Sequence, residues 1–206
     1  MGSKVLKIGV LASGSGTNLQ SIIDNIESGK LQAEIACVLS NNTAAFALER
    51  AKRHGIPSLQ IDHRNFAGRE AYDAALVETL REFGVDLVVL AGFMRIITPV
   101  LLDAFPSAVM NIHPALLPAF PGLHAQQQAL DYGVKVSGCS VHFVDAGTDT
   151  GPIIIQAAVP VMVGDTVTSL SARILVEEHR IYPEAIRLFA TGRLKVEGRK
   201  VVIAPA

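Results

Sequence analysis

Two polar side chains stand where an apolar run ends. Ala108, Val109 and Met110 read as a buried strand, after which the chain breaks into NIHPALLPAFPGL, with Asn111 and His113 at the break and Pro114, Pro118 and Pro121 stiffening the exit. Residues two apart in extended backbone project to one side, and Pro114 keeps the residue before it extended. An amide and an imidazole would then face one reacting atom. The amide is a fixed donor and an imidazolium a charged one, which suits stabilisation of an oxyanion, where a single donor is worth about 3 kcal/mol of barrier. Histidine also exchanges protons near neutral pH, a role worth about 10² to 10⁴ in rate. The plainer alternative, a surface loop with an incidental histidine, stays open on this stretch alone.

A carboxylate is offered by the loop DAGTDTGP. If it folds over His113, Asp149 would favour the charged imidazole and help move a proton off an attacking amine. Asp145 competes for that role, and either residue is also an ordinary turn former. Earlier in the chain, SGSGTNL (Ser13 to Leu19) follows a first strand and opens a first helix, so its backbone N–H groups and the helix dipole suit a phosphate. A nicotinamide site is disfavoured, because Leu19 stands where a third glycine belongs and Ser40-Asn41-Asn42 closes the second strand instead of an acid. The Walker pattern fails too, for want of a Lys-Ser or Lys-Thr. Arg95, just past the central strand, and Arg69, at the start of the third helix, are either solvated charges or anion contacts. Glu178 is either a solvent-facing charge or an acceptor for two sugar hydroxyls. The six histidines show no clustered ligand spacing, so no metal is assigned.

The elements that must position these groups follow from periodicity. Residues 5–12 read as a strand, and Leu19, Ile22, Ile23 and Ile26 form the stripe of a helix ending before Gly29. Strand 34–39 leads to a helix through Phe46, Leu48 and Ala51 that stops near Gly55; strand 56–61 leads to a helix over 68–83 facing inward with Ala71, Ala75, Leu76 and Leu80. The run VDLVVLAG, 85–92, reads as a central parallel strand. Ala125 to Tyr132 is a short helix, and 137–144 with 152–161 an antiparallel hairpin. Asp165 is taken as the N-cap of a long helix that breaks before Pro183 and resumes to Phe189, and Lys200 to Ile203 is a last strand. The pattern is α/β: a doubly wound, mostly parallel sheet with a mixed antiparallel edge.

Composition narrows the class of function. The 206 residues, 50% hydrophobic and 18% charged with a net charge of −1, suit one domain, and three Tyr, eight Phe and no Trp give no footprint for nucleic acid. No apolar run approaches the roughly 18 residues of a membrane span. Cys37 and Cys139 form no CxxC pair and read as reduced, which predicts a cytoplasmic protein. Met1 to Ser3 are set aside from the fold reading.

The segments SGSGTNLQSII, VVLAGFMRI, NIHPALLPAFPGLHA, SVHFVDAGTDTGPIIIQ and EEHRIYPEAI occur in order along nearly the whole chain. In that combination the chain resembles the phosphoribosylglycinamide formyltransferases, folate-dependent enzymes of purine synthesis in the formyltransferase family. The resemblance implies a single Rossmann-like formyltransferase domain over 1–206, with a phosphate-binding half (1–105) and a catalytic, folate-binding half (106–206). It implies a catalytic trio of Asn111, His113 and Asp149, a substrate site of Gly16, Thr17, Asn18 and Glu178, and a folate site of Arg69, Met94, Arg95, Ile96, Ile97, Asn111 and Val144. The implied reaction moves the formyl group of 10-formyltetrahydrofolate, as cosubstrate, to the primary amine of glycinamide ribonucleotide. Neither a metal, a nucleic acid nor a membrane is implied, and a homodimer is left open. Methionyl-tRNA formyltransferase shares the Asn-Ile-His-Pro element but is longer and adds an RNA-binding domain. Formyltetrahydrofolate deformylase, which carries a further N-terminal domain, and a non-catalytic nucleotide-binding module are the alternatives.

Overall fold

The computed structural model describes residues 5–205, which divide into two compact units between Met110 and Asn111. Met1 to Ser3, set aside above, lie outside the described residues. In the first unit β1 (Leu6–Leu11), β2 (Ala33–Ser40), β3 (Ser58–Gln60) and β4 (Leu87–Leu90) run parallel in the order β3-β2-β1-β4. They alternate with α1 (Thr17–Glu27), α2 (Phe46–Arg53) and α3 (Arg69–Glu82), and α4 (Pro99–Ala104) follows β4. Ile8, Val10, Leu11, Val38, Leu39, Leu87, Val88 and Val89 have no exposure, as parallel strands covered on both faces require, which is why they read as unbroken apolar runs.

Several expectations shift. The buried face of α3 is Tyr72, Asp73, Leu76, Val77 and Leu80, while Ala71 is exposed. The Asp73 carboxylate fixes that rotation by accepting from the Thr98 backbone N–H at 2.6 Å and hydroxyl at 2.8 Å, inside the unit. On α2 the inner face is Ala47 and Ala51, and Phe46 turns outward to carry the guanidinium groups of Arg50 and Arg53 at 4.9 and 5.1 Å. Strand β4 is shorter than 85–92. Two short elements escaped the periodicity, α4, which starts with Pro99 at its first position, and a 3₁₀ turn over His63–Asn65.

Strand β5 (Val109–His113) carries the boundary between the units. It does not stop at Met110: Asn111 and His113 belong to the strand itself. The second unit adds α5 (Ala125–Tyr132), β6 (Val136–Phe143), β7 (Ile153–Pro160), α6 (Val167–Ala190), β8 (Leu194–Glu197) and β9 (Lys200–Ile203), in the strand order β5-β6-β7-β9-β8. The expected hairpin is present, with β6 antiparallel to β7, and it slips register between Val141 and His142. Strand β8, not anticipated, pairs antiparallel with β9 to close the edge. The fold is thus the expected mostly parallel α/β sheet with an antiparallel edge.

Helix α6 corrects the sequence reading twice. It runs unbroken through Pro183, and its N-cap is Thr166, not Asp165: the Thr166 hydroxyl accepts from the Ser169 N–H and the Ser169 hydroxyl from the Thr166 N–H. Asp165, one residue outside, accepts instead from Arg173 at 2.8 and 3.0 Å. An interior proline costs about 3 kcal/mol. Ile174, Ile181 and Ile186, all but unexposed on this helix, each return about 1.5–3 kcal/mol on burial, so packing outweighs the lost hydrogen bond. Among the described residues no helix is long and apolar enough to cross a membrane.

Candidate active site

Within the second unit one carboxylate collects the polar groups of β5 and β6. Asp149 Oδ2 lies 3.3 Å from His113 Nδ1 and accepts from the Gly122 N–H at 2.8 Å; Oδ1 accepts from Asn111 Nδ2 at 3.4 Å and lies 3.7 Å from His142 Nε2. The extended backbone of β5 puts Asn111 and His113 on the same side, as their spacing requires. His113 is 4% exposed, and its Nε2 donates to the Phe120 carbonyl at 2.8 Å. A carbonyl only accepts, so Nε2 carries a proton and Nδ1 faces the carboxylate. Protonation of Nδ1 completes an imidazolium with an oxygen at each nitrogen. Burial pushes the Asp149 carboxyl up, but the nearby His142 ring, the Gly122 N–H and the His113 ring together hold it below the ordinary carboxylate range.

His142 was not singled out from the sequence. Its Nδ1 donates to the Phe143 carbonyl at 2.8 Å, leaving Nε2 facing Asn111 Nδ2 at 3.2 Å. Neutral, that nitrogen accepts from the amide; protonated, it turns an N–H toward Asp149. The available signal was its place near the end of a strand leading into the acidic loop, where a bulge re-aims side chains. The competing carboxylate is otherwise engaged. Asp145 accepts from the Gly147 N–H at 3.0 Å and the Thr150 hydroxyl at 2.6 Å, shaping the loop that presents Asp149. At Gly151 a Cβ would collide with the Phe143 carbonyl oxygen, so only glycine lets this loop return to β6. Asp149 itself sits at φ 54°, a left-handed conformation that a side chain other than glycine rarely adopts.

The glycine turn lies in the first unit, at the N-terminus of α1. The N-cap Gly16 has φ 70°, no side chain caps the helix, and no acid occupies its first turn. Three successive carbonyls of the turn are held from the α2 side: Ser13 O by Asn42 Nδ2 at 3.3 Å, Gly14 O by the Ala47 N–H at 3.1 Å, and Ser15 O by Arg50 Nε at 2.8 Å. In a trans peptide the N–H points opposite to the carbonyl, so the N–H groups of residues 14–16 are aimed away from α2. A ring of donors at a helix N-terminus is an anion site. A Cβ at Gly16 would sit 2.8 Å from the Ala47 Cα and Cβ. Gly16→Ala is therefore expected to cost about 2 kcal/mol and lower Tm by about 5 °C, read by thermal unfolding; an unchanged Tm would show that the turn relaxes freely.

The other expected residues are placed as follows. In the first unit Thr17 and Asn18 open α1, with Asn18 buried; Arg69 opens α3 and is exposed; and Met94 to Ile97 follow β4, with Met94 and Ile96 exposed, Arg95 half-buried and Ile97 buried. In the second, Glu178 is 7% exposed on α6, not the solvent-facing charge of the plainer reading, and Val144 follows β6 half-buried. The structure thus gathers Asn111, His113 and Asp149, and builds the turn separately within its own unit.

Comparison with known proteins bears on what this arrangement does. The sequence pattern of the formyl transferase family matches residues 6–186. Phosphoribosylglycinamide formyltransferase of Escherichia coli strain K12 is 46% identical over 191 residues, covering 93% of this chain and 90% of that protein. The trifunctional purine biosynthetic protein adenosine-3 of Drosophila melanogaster is 47% identical over 188 residues, which are 90% of this chain, but the chain spans only 14% of that relative's length. Among solved structures, glycinamide ribonucleotide transformylase 1 of Symbiobacterium toebii superposes with a TM-score of 0.97 at 59% identity, covering 98% of this chain and 95% of that one. A formyltetrahydrofolate deformylase of Pseudomonas syringae is more distant, at 28% identity and a TM-score of 0.90, covering 98% of this chain and 67% of that one.

Proposed function

Because the chain belongs to the formyl transferase family, we propose that it transfers the formyl group of 10-formyltetrahydrofolate to the primary amine of glycinamide ribonucleotide, a step of purine biosynthesis. The observation that carries this reading is the convergence of Asn111 and His113 on the Asp149 carboxylate, at 3.4 and 3.3 Å. It supplies, in one place, two donors for a developing oxyanion and a base for an amine proton.

The reaction follows from those groups. The amine nitrogen attacks the formyl carbon, the carbonyl pair moves to oxygen, and a tetrahedral intermediate carries the negative charge. Asn111 Nδ2 and the Nε2–H of His113 turn to that oxygen from the partners they otherwise hold, His142 and the Phe120 carbonyl, and stabilise it. Asp149, ionised at neutral pH, takes the proton that the attacking nitrogen must lose and delivers it toward N10 of the folate, whose bond to the formyl carbon then breaks. No covalent bond to the protein forms. Gly16, Thr17 and Asn18 hold the ribonucleotide phosphate, and buried Glu178 accepts from its ribose hydroxyls. Arg69, Met94, Arg95, Ile96 and Ile97, with Asn111 and Val144, hold the folate. We propose further that the described chain works as one formyltransferase domain in the cytoplasm, where its free, buried Cys37 and Cys139 remain thiols.

Steady-state turnover tests the reading. Consumption of 10-formyltetrahydrofolate is expected only when glycinamide ribonucleotide is added. Consumption in water alone would assign a deformylase, and binding of both compounds without turnover a non-catalytic module.

A further inference from the structure

Ser13 holds three strand ends of the first unit through one residue. Its N–H donates to the Gly92 carbonyl at 3.1 Å, and its carbonyl accepts from Asn42 Nδ2 at 3.3 Å. Its hydroxyl donates to Asn41 Oδ1 at 2.6 Å and accepts from the Met94 N–H at 2.9 Å. A hydroxyl offers one donor and two acceptor positions, so the donor is spent on β2's end and an acceptor on the segment after β4. Residue 13 begins the anion turn, and Met94 begins the segment assigned above to folate.

That second segment is largely open to solvent before it reaches Ile97. Met94 is 66% and Ile96 60% exposed, and only Ile97 among residues 94–97 is buried. A stretch with few buried apolar contacts opens at low free energy, and its order depends on individual hydrogen bonds. An anion on the turn's N–H groups restrains Ser13 further, and Ser13 in turn restrains the Met94 N–H. A folate arriving next loses less conformational freedom, and its affinity rises with no new contact to it.

We propose that the Ser13 hydroxyl is a positioning residue that couples the two substrate sites, so that the ribonucleotide and the folate each tighten the other's binding. This rests on the function proposed above. One hydrogen bond gained in this way is worth about three- to tenfold in affinity, and linkage requires the same factor in both directions.

The test measures by calorimetry the Kd of tetrahydrofolate, which has no formyl group to transfer, with and without glycinamide ribonucleotide, and then the reverse titration. The protein is expected to show a reciprocal factor of about three to ten. In Ser13→Ala the factor should fall to near one while each ligand alone still binds. Ser13→Thr, which keeps the hydroxyl, should retain the factor, and Asn41→Ala, which removes the acceptor orienting it, should lose part of it. A merely structural role would weaken each ligand alone and leave their ratio unchanged. Full coupling in Ser13→Ala overturns the proposal, as does independent binding by a protein that turns over normally. Failure to bind either compound or to turn over would instead bring down the function itself, and this coupling with it.

Discussion

Replacing Asp149 by Asn is expected to lower kcat by about a thousandfold, within the range set by loss of a general base, while the protein remains folded. The variant keeps an amide oxygen for the Gly122 N–H but loses the charge that faces His113 and His142. Because the wild-type carboxyl is held below the ordinary range, it stays ionised well under neutral pH. Any fall in kcat/KM between about pH 5 and 7 must then come from another group, histidine being the side chain that ordinarily titrates there. For stability the sign is that of a depressed acid. The contribution is full above the unfolded value, about 3.8, and is lost as pH falls through the lower folded value. Unfolding curves for Asp149→Asn should lack that acid-side loss. A near-normal kcat in this variant would remove the residue from the chemistry.

His113→Ala should lower kcat by about 10² to 10³, the cost of a single lost donor to an oxyanion. Its Nε2 is aimed by the Phe120 carbonyl and its Nδ1 by Asp149, so the ring is oriented before the oxyanion forms. Because the imidazole and the carboxylate act as a pair, the double variant with Asp149→Asn should fall little below the worse single one. Rate constants for the two singles and the double decide the matter. If the two effects multiply, the residues act independently and the pairing drawn here is wrong.

Much of this is legible in the residues themselves. Parallel strands buried on both faces announce themselves as unbroken apolar runs, which is why β1 and β2 lie within a residue of where the sequence puts them and β4 lies inside the longer run 85–92. The spacing of Asn111 and His113 told which side they share, although it placed them after the strand and not within it. What periodicity cannot see is competition between long-range contacts. Asp149 and Asp145 are alike as turn formers, and only the path of the loop decides that one accepts from Thr150 while the other meets His113. His142 looked like a strand residue, because its role depends on a register slip against β7. The break expected at Pro183 is a sound local inference that tertiary packing overrides. The rotation of α3 was missed because Asp73, a polar residue, is buried to hold Thr98.

The three pinned carbonyls of the glycine turn bear on how this protein tolerates sequence change. A main-chain amide is common to every amino acid but one, so replacing a side chain at position 14 or 15 leaves the amide ring itself intact; only proline deletes a member. Lineages are therefore free to vary those letters, provided position 16 stays small and the α2 flank keeps its three donors, so drift should accumulate in the turn sooner than in the residues that brace it from behind.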